Sequence, residues 1–379
     1  MVTLASSNEN PVREYHVGKP NVGDRELFDR MVAEMFERQW FTNNGPLVRQ
    51  FESEICKMLG VKHCIAVCNA TIGLQLACRA LNLKGEVLVP AYTFVASAHS
   101  MYWEGVRPVF VDVDATSHCI DVDKIEESIT DQTSAIVPVH LWGNACQVER
   151  IDQIARNNNL KVIYDAAHAF ACQHAGRMIG NFGDCEVFSF HATKFVQSFE
   201  GGAITTNDDS LAAQLKQLRN FGFSGPDNVA SLGTNAKMSE VCAAMGITNL
   251  ASVDRFIEVN RNNQQQYDQL LREIPGISLM QFDHLESCNW QYVVVEVDES
   301  KFGMSRDQLL EHLHGSNVLA RRYFFPGCSN MEPYRSLDPI GKNLPVTSKL
   351  CNSVICLPNG TSLCSDDIKF ITDLISSLV

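Results

Sequence analysis

Positive charge is scarce in this sequence of 379 residues: 31 Lys and Arg stand against 44 Asp and Glu, a formal net charge of −13. No basic run exceeds Arg321-Arg322, so general binding to nucleic acid or to an anionic membrane surface is not expected. A chain of this sign that binds a phosphate must do so through local amides and a few basic side chains, because its overall field works against the ligand. Long apolar runs are missing too. The most apolar stretch, residues 87–102, is too short to span a bilayer and contains Pro90 and His99. Residues 1–11 carry no charged segment ahead of an apolar core, so a signal peptide is not expected and a cytoplasmic location is.

Paired cysteine spacing is the third absence. The chain has 14 cysteines, yet Cys64 with Cys68 and Cys351 with Cys356 have no second pair at metal-finger distance. Neither a metal site nor a disulfide framework is expected; buried free thiols in a reducing compartment are. Internal repeats and a sharp linker are also lacking. With 45% hydrophobic and 20% charged residues, the chain is globular and long enough for two domains.

What is present begins with alternation. Short β-branched runs at 64–67, 86–89, 109–113, 135–139, 161–164, 186–190 and 202–206 predict seven strands. Helical patterns at 71–81, 123–129, 148–157 and 210–221 separate several of them. This order indicates βαβ units and a mostly parallel sheet. After Ser239 one long helical pattern runs toward Leu271 and is punctuated by Pro275-Gly276. A strand at 292–296 and helices at 305–314 and 365–378 then give an α+β order.

Two of the strands end in chemistry. The run Lys161-Val-Ile-Tyr-Asp165 stops at a carboxylate, and Glu186-Val-Phe-Ser-Phe-His-Ala-Thr-Lys194 stops at an amine. In an open parallel sheet, ligands bind beyond the carboxyl ends of the strands, so Asp165 and Lys194 would face one site. An amine desolvated beside Phe188 and Phe190 would have a lowered pKa and act as a Schiff-base nucleophile. Pyridoxal 5'-phosphate needs this pair, a lysine for its carbonyl and a carboxylate for its ring nitrogen. Asp165 would serve equally as the cap of the following turn. Asn69 and Thr71 would cap the helix at 71–81, leaving its positive end for a phosphate, and Ser189 offers a second hydroxyl.

The ordered set Asn69-Ala-Thr71, Pro90-Ala-Tyr-Thr-Phe94, Pro108-Val-Phe-Val-Asp112-Val-Asp114, Asp165-Ala-Ala-His168, Ser189-Phe-His-Ala-Thr-Lys194, Glu200-Gly-Gly-Ala203 and Asn235-Ala-Lys-Met-Ser-Glu240 resembles the DegT/DnrJ/EryC1/StrS sugar aminotransferases. The likeness runs from about Tyr15 to the carboxyl end. It implies an aspartate-aminotransferase-like fold, pyridoxal-phosphate fold type I. The mostly parallel seven-stranded sheet would lie in a large domain (residues 21–255), preceded by an arm (1–20) and followed by a smaller α+β domain (256–379). It also implies roles. Lys194 would hold the cofactor and shuttle the proton, and Asp165 would pair with the pyridine nitrogen. His168, where many members have glutamine, would lie near the ring hydroxyl, or else be a core histidine satisfied by a backbone carbonyl. Thr71, the Ile72 amide and Ser189 would hold the phosphate. Phe94 would stack on the ring, unless it is plain core. Asn235 would reach the phosphate across a homodimer with a shared active site, although an asparagine near Gly233 also suits a turn.

The segment Arg321-Arg-Tyr323-Phe-Phe-Pro326-Gly-Cys-Ser329 resembles the family segment that closes over the site, with Ser329 in place of a common histidine. Tyr323 and Ser329 are therefore candidate substrate contacts. Asn43 and Asn44, in Trp40-Phe-Thr-Asn43-Asn44-Gly-Pro46, are either sugar contacts or a surface turn. The resemblance implies transfer of an amino group from glutamate to a nucleotide-linked 4-keto-6-deoxy sugar, most like the members that form 4-amino-4,6-dideoxyglucose on dTDP for glycan or O-antigen synthesis. A 3-keto sugar, a GDP or UDP carrier, or a cyclitol ketone would demand the same residues. A dehydratase of this fold would carry histidine in place of Lys194, and a non-catalytic regulatory relative would be free to lose it.

Overall fold

In a computed structural model the chain is described over residues 13–282, 288–337 and 343–379. Seven strands, β1 (His63–Val67), β2 (Glu86–Pro90), β3 (Arg107–Val111), β4 (Thr133–Ile136), β5 (Lys161–Asp165), β6 (Cys185–Ser189) and β7 (Gly202–Thr206), form one sheet in the order β1-β7-β6-β5-β4-β2-β3. β7 is antiparallel to both its neighbours, and every other pairing in the sheet is parallel. Both faces are covered, as the near-continuous Val/Ile runs require. Val87, Val89 and Val187 pack into one core with Ile65 and Val67, while Leu88 and Phe188 point into the opposite core. The period of two thus delivers one apolar set to each face.

The seven expected strands and the parallel sheet are therefore found. Helices outside the expected set include Arg25–Arg38, Pro46–Leu59, Val95–Trp103 and Pro345–Ser353, with two single turns at Glu299–Phe302 and Tyr334–Leu337. The expected single helix from Ser239 to Leu271 is two, Glu240–Leu250 and Val253–Leu271. Side chains at the junction compete for the helical carbonyls: Thr248 Oγ1 and Asn249 Nδ2 both bond Met245 O, and Ser252 Oγ bonds Thr248 O.

A second, antiparallel sheet is built from β8 (Ile277–Leu279), β9 (Val293–Val297) and β10 (Val354–Leu357) in that order. It encloses a separate core with Tyr267, Leu309, Leu313 and Ile371 from the helices Val253–Leu271, Arg306–Gly315 and Ser365–Ser376. Of the expected arm, Tyr15–His16 pairs in parallel with Val318–Leu319, and Arg13 bonds Asp367 at 2.6 Å. Residues 1–12, on which the rest of the arm and the absence of a signal segment were expected, lie outside the described residues. All 14 cysteines are free thiols, and 10 of them are buried. Among the described residues no helix is long and apolar enough to cross a membrane, and no cluster of three His, Cys, Asp or Glu can hold a metal.

Candidate active site

β5 delivers Asp165 to the carboxyl end of the sheet, where it is buried. Its Oδ1 accepts the Ala167 N–H at 3.1 Å, and its Oδ2 accepts the Ser97 hydroxyl at 2.7 Å. The residue is a turn cap and a buried acid at once. Burial raises its pKa, and the two hydrogen bonds, with the Lys194 charge, pull the other way. Lys194 follows β6 by five residues and is half-buried. Burial pulls its amine down to about 8, against the raising influence of the Asp165 carboxylate. An ordinary lysine titrates near 10.4, so this one has a far larger free-amine fraction at neutral pH.

His168 lies within the field of the same lysine. Burial, reinforced by the Lys194 charge, pushes its pKa well below the usual value. Its Nδ1 accepts the Trp142 backbone N–H at 3.4 Å. That corrects the core-histidine alternative: the backbone partner is an N–H and not a carbonyl, so Nε2 carries the proton of the neutral ring. Asp165, His168 and Lys194 thus occupy one electrostatic neighbourhood.

The loop bearing Lys194 is pinned by contacts that local sequence did not suggest. Asn21 Nδ2 bonds Phe195 O at 3.0 Å, Gln197 Nε2 bonds Asn21 O at 3.1 Å, and Gln291 Nε2 bonds Thr193 O at 2.7 Å. These partners, Asn21 and Gln291, lie far from the loop on either side of it in the chain, and only their amide chemistry hinted at the role.

The helix Ala70–Ala80 starts beside the ends of β6 and β7. Gly202 pairs with Ser189, and a Cβ on Gly202 would lie 2.7 Å from Ala70 N. Absence of that Cβ lets the helix start settle on the sheet, bringing its amide end and Ser189 to one place. Asn69 caps the helix by accepting the Ile72 N–H at 2.9 Å. Thr71 is exposed and Ser189 is half-buried. Of the expected phosphate donors, the Ile72 amide therefore already has an internal partner.

A cavity of about 680 Å³ opens between the start of the helix Val95–Trp103 and residues 307–331, with Phe94, Tyr323, Arg321, Arg322, Asp307 and Glu311 in its walls. Phe94 is 59% exposed, which removes the plain-core alternative. Of the candidate site residues Phe94 and Tyr323 line this cavity, while Asn43, Asn44, Thr71, Ile72, Asp165, His168, Ser189, Lys194, Asn235 and Ser329 do not. Asn43 and Asn44 form a turn with φ of 61° and 58°, and Asn44 Oδ1 accepts from Arg219 Nη2 at 3.3 Å. Their loop is fixed by Glu240, whose carboxylate accepts Leu47 N and Val48 N at 2.9 and 3.0 Å. Gly45 is required there, since a Cβ would lie 2.6 Å from that carboxyl carbon. Asn235 is exposed, and Ser329 is half-buried in the turn Cys328–Asn330.

A buried acid, an amine of lowered pKa, a neutral imidazole and hydroxyls at a helix start suit a ligand with a basic ring nitrogen, a carbonyl and a phosphate. Known proteins agree with that chemistry. The chain is 39% identical over 362 residues to a dTDP-4-amino-4,6-dideoxy-D-glucose transaminase of Shigella dysenteriae, covering 96% of this chain and 98% of the relative. It is 38% identical over 363 residues to the Escherichia coli protein of the same name, covering 95% and 97%. The solved structure of DesI in the presence of its TDP-sugar product superposes with a TM-score of 0.92 at 44% identity, covering 96% of this chain and 92% of that one. The sequence profile of the DegT/DnrJ/EryC1/StrS aminotransferase family matches residues 23–376, and the chain belongs to that family.

Proposed function

We propose that this chain uses pyridoxal 5'-phosphate to move an amino group from glutamate to the ketone of dTDP-4-keto-6-deoxyglucose. The observation that carries the reading is the convergence of a depressed lysine, Lys194, with a buried carboxylate, Asp165. The names of the two bacterial relatives supply the sugar. When bound, the cofactor supplies an electron-withdrawing ring that acidifies the C–H bond beside the transferred nitrogen.

The residues present fit that group. Asp165 holds the proton on the ring nitrogen. Lys194, its amine lowered to about 8 by burial, would hold the cofactor's carbonyl and then move a proton between the substrate carbon and the cofactor. His168 offers Nε2–H to the ring oxygen, and the exposed Phe94 covers one ring face. Thr71 and Ser189 bind the phosphate with the helix start behind them. The Ile72 amide joins them by sharing its hydrogen with Asn69. Asn235 of a second copy completes the phosphate site in a homodimer.

The cavity beside Phe94 has the size of a small-molecule site and takes the nucleotide-linked sugar. In its wall Arg322 is paired with Asp307 at 3.0 Å, and Arg321 offers a second guanidinium to a phosphate in a chain whose net charge repels one. Tyr323 and Ser329 belong to the segment beside it. The test is a coupled assay with glutamate against dTDP-, UDP- and GDP-linked 3-keto and 4-keto hexoses. Turnover on the dTDP-linked 4-keto sugar is expected to dominate; turnover confined to 3-keto sugars or to another carrier overturns the substrate assignment and leaves the aminotransfer chemistry intact.

A further inference from the structure

The hydroxyl that reaches Asp165 comes from a distant part of the chain. Ser97 lies in the first turn of the helix Val95–Trp103, 68 residues before the acid. Thr93 Oγ1 sits 3.1 Å from Ser97 Oγ, and Thr93, Ser97 and Asp165 are all buried. The direction of this chain follows from chemistry. An ionised carboxylate only accepts, so Ser97 donates to Asp165 and accepts from Thr93.

A helical serine has a simpler option. Ser100, one turn on, bonds back to Ala96 O at 2.6 Å. Ser97 instead spends its hydroxyl on the carboxylate. Together with Ala167 N–H on Oδ1, it ties both carboxyl oxygens and so fixes the plane of the group. Charge-assisted bonds of this kind are the stronger class, and burial makes their loss costly. The same short segment places Phe94 in the cavity wall, and the Tyr92 hydroxyl donates to Tyr323 O. One strand-to-helix turn therefore sets the acid, the ring face and the neighbouring loop.

We infer that Ser97, itself oriented by Thr93, is a positioning residue for Asp165: it fixes the carboxylate plane and supplies a hydrogen bond favouring the ionised form required opposite a protonated pyridine nitrogen. The inference rests on the proposed function, and its test separates the two. Cofactor-free protein is titrated with pyridoxal 5'-phosphate across pH in wild type, Ser97→Ala, Asp165→Asn and the double variant, with Thr93→Val alongside. Ser97→Ala is expected to weaken binding about ten- to a hundredfold, the range of a hydrogen bond to a charged group. Its acid limb should move to higher pH, because Asp165 loses a donor that favours its charge. In the Asp165→Asn background the same substitution should cost less than about twofold, since the carboxylate it serves is gone. Thr93→Val should act in the same direction and more weakly, and it stands in if Ser97→Ala does not fold. Equal losses in both backgrounds with an unmoved acid limb contradict the inference. Wild-type protein that binds no pyridoxal phosphate sinks the functional reading itself.

Discussion

The imidazole of His168 lies against the indole of Trp142, ring centroids 5.6 Å apart and planes inclined by 29°. The Trp142 backbone N–H meets His168 Nδ1 on the same side. Trp142 is itself fully buried, and its indole N–H donates to His118 Nδ1 at 3.2 Å, so the surface against which His168 rests is fixed from behind. The result is a neutral imidazole with one tautomer.

That neutrality has a pH signature. The folded-state pKa of His168 is depressed, whereas the unfolded chain protonates this residue near 6.5. Below about pH 6.5 the unfolded state binds a proton that the folded state refuses, so stability falls as pH drops. Urea unfolding of cofactor-free protein at pH 5 and pH 7.5 should show a larger acid loss in wild type than in His168→Gln. Equal losses in the two proteins contradict a buried neutral histidine.

Lys194 predicts the opposite limb. At pH 7 an amine with a pKa of about 8 is about a tenth unprotonated, against less than about a thousandth for an ordinary lysine. Brief acetylation of cofactor-free protein at pH 7, read by peptide mass, should therefore modify Lys194 ahead of surface lysines. The folded pKa lies below the unfolded one, so a proton is released on folding between about pH 8 and 10.4 and stability rises through that window. Lys194→Met should flatten the rise.

Gly202 tests the phosphate end. A Cβ there meets Ala70 N at 2.7 Å, so Gly202→Val must push the helix start away from Ser189. A loss of about 1–3 kcal/mol in unfolding free energy is expected, with pyridoxal phosphate affinity falling further than stability alone explains. Retention of full cofactor affinity by a folded Gly202→Val protein removes the helix start from the site.

Arg219 tests the support of the entrance loop. This buried guanidinium bonds Glu52 Oε1 at 2.5 Å, Ala66 O at 2.9 Å and Asn44 Oδ1 at 3.3 Å. Arg219→Met leaves the Glu52 carboxylate without its counter-charge and should destabilise the fold by about 3–5 kcal/mol. Arg219→Met with Glu52→Gln should recover part of that loss, as measured by chemical denaturation. If Asn44 matters only through this network, Asn44→Ala will change stability and leave the KM for the sugar unmoved.

The strands, Asp165 and Lys194 were legible because their signals are local. An apolar run that alternates or fills both faces marks a strand, and a charged residue at its end marks the rim of the sheet. Ser97 and Gln291 carried no such mark. Their partners lie 68 and 98 residues away, and a serine early in a helix looks the same whether it bonds its own turn or a remote carboxylate. The helix break at Ala251-Ser252 was hidden for a related reason. The apolar period continues through it, while the interruption comes from hydroxyl and amide side chains turning back on carbonyls. Asn43 and Asn44 offered a turn and a sugar contact alike: both take a left-handed backbone, which either reading allows.

Lys194 is the amine on which the proposed cofactor chemistry depends. Borohydride reduction of the purified protein saturated with pyridoxal 5'-phosphate, followed by peptide mass mapping, tests this most directly. The visible band should vanish on reduction, with a single stable adduct on Lys194, and Lys194→Ala should show neither band nor turnover. An adduct on another lysine, no visible band, or a Lys194→Ala protein with full turnover contradicts the account.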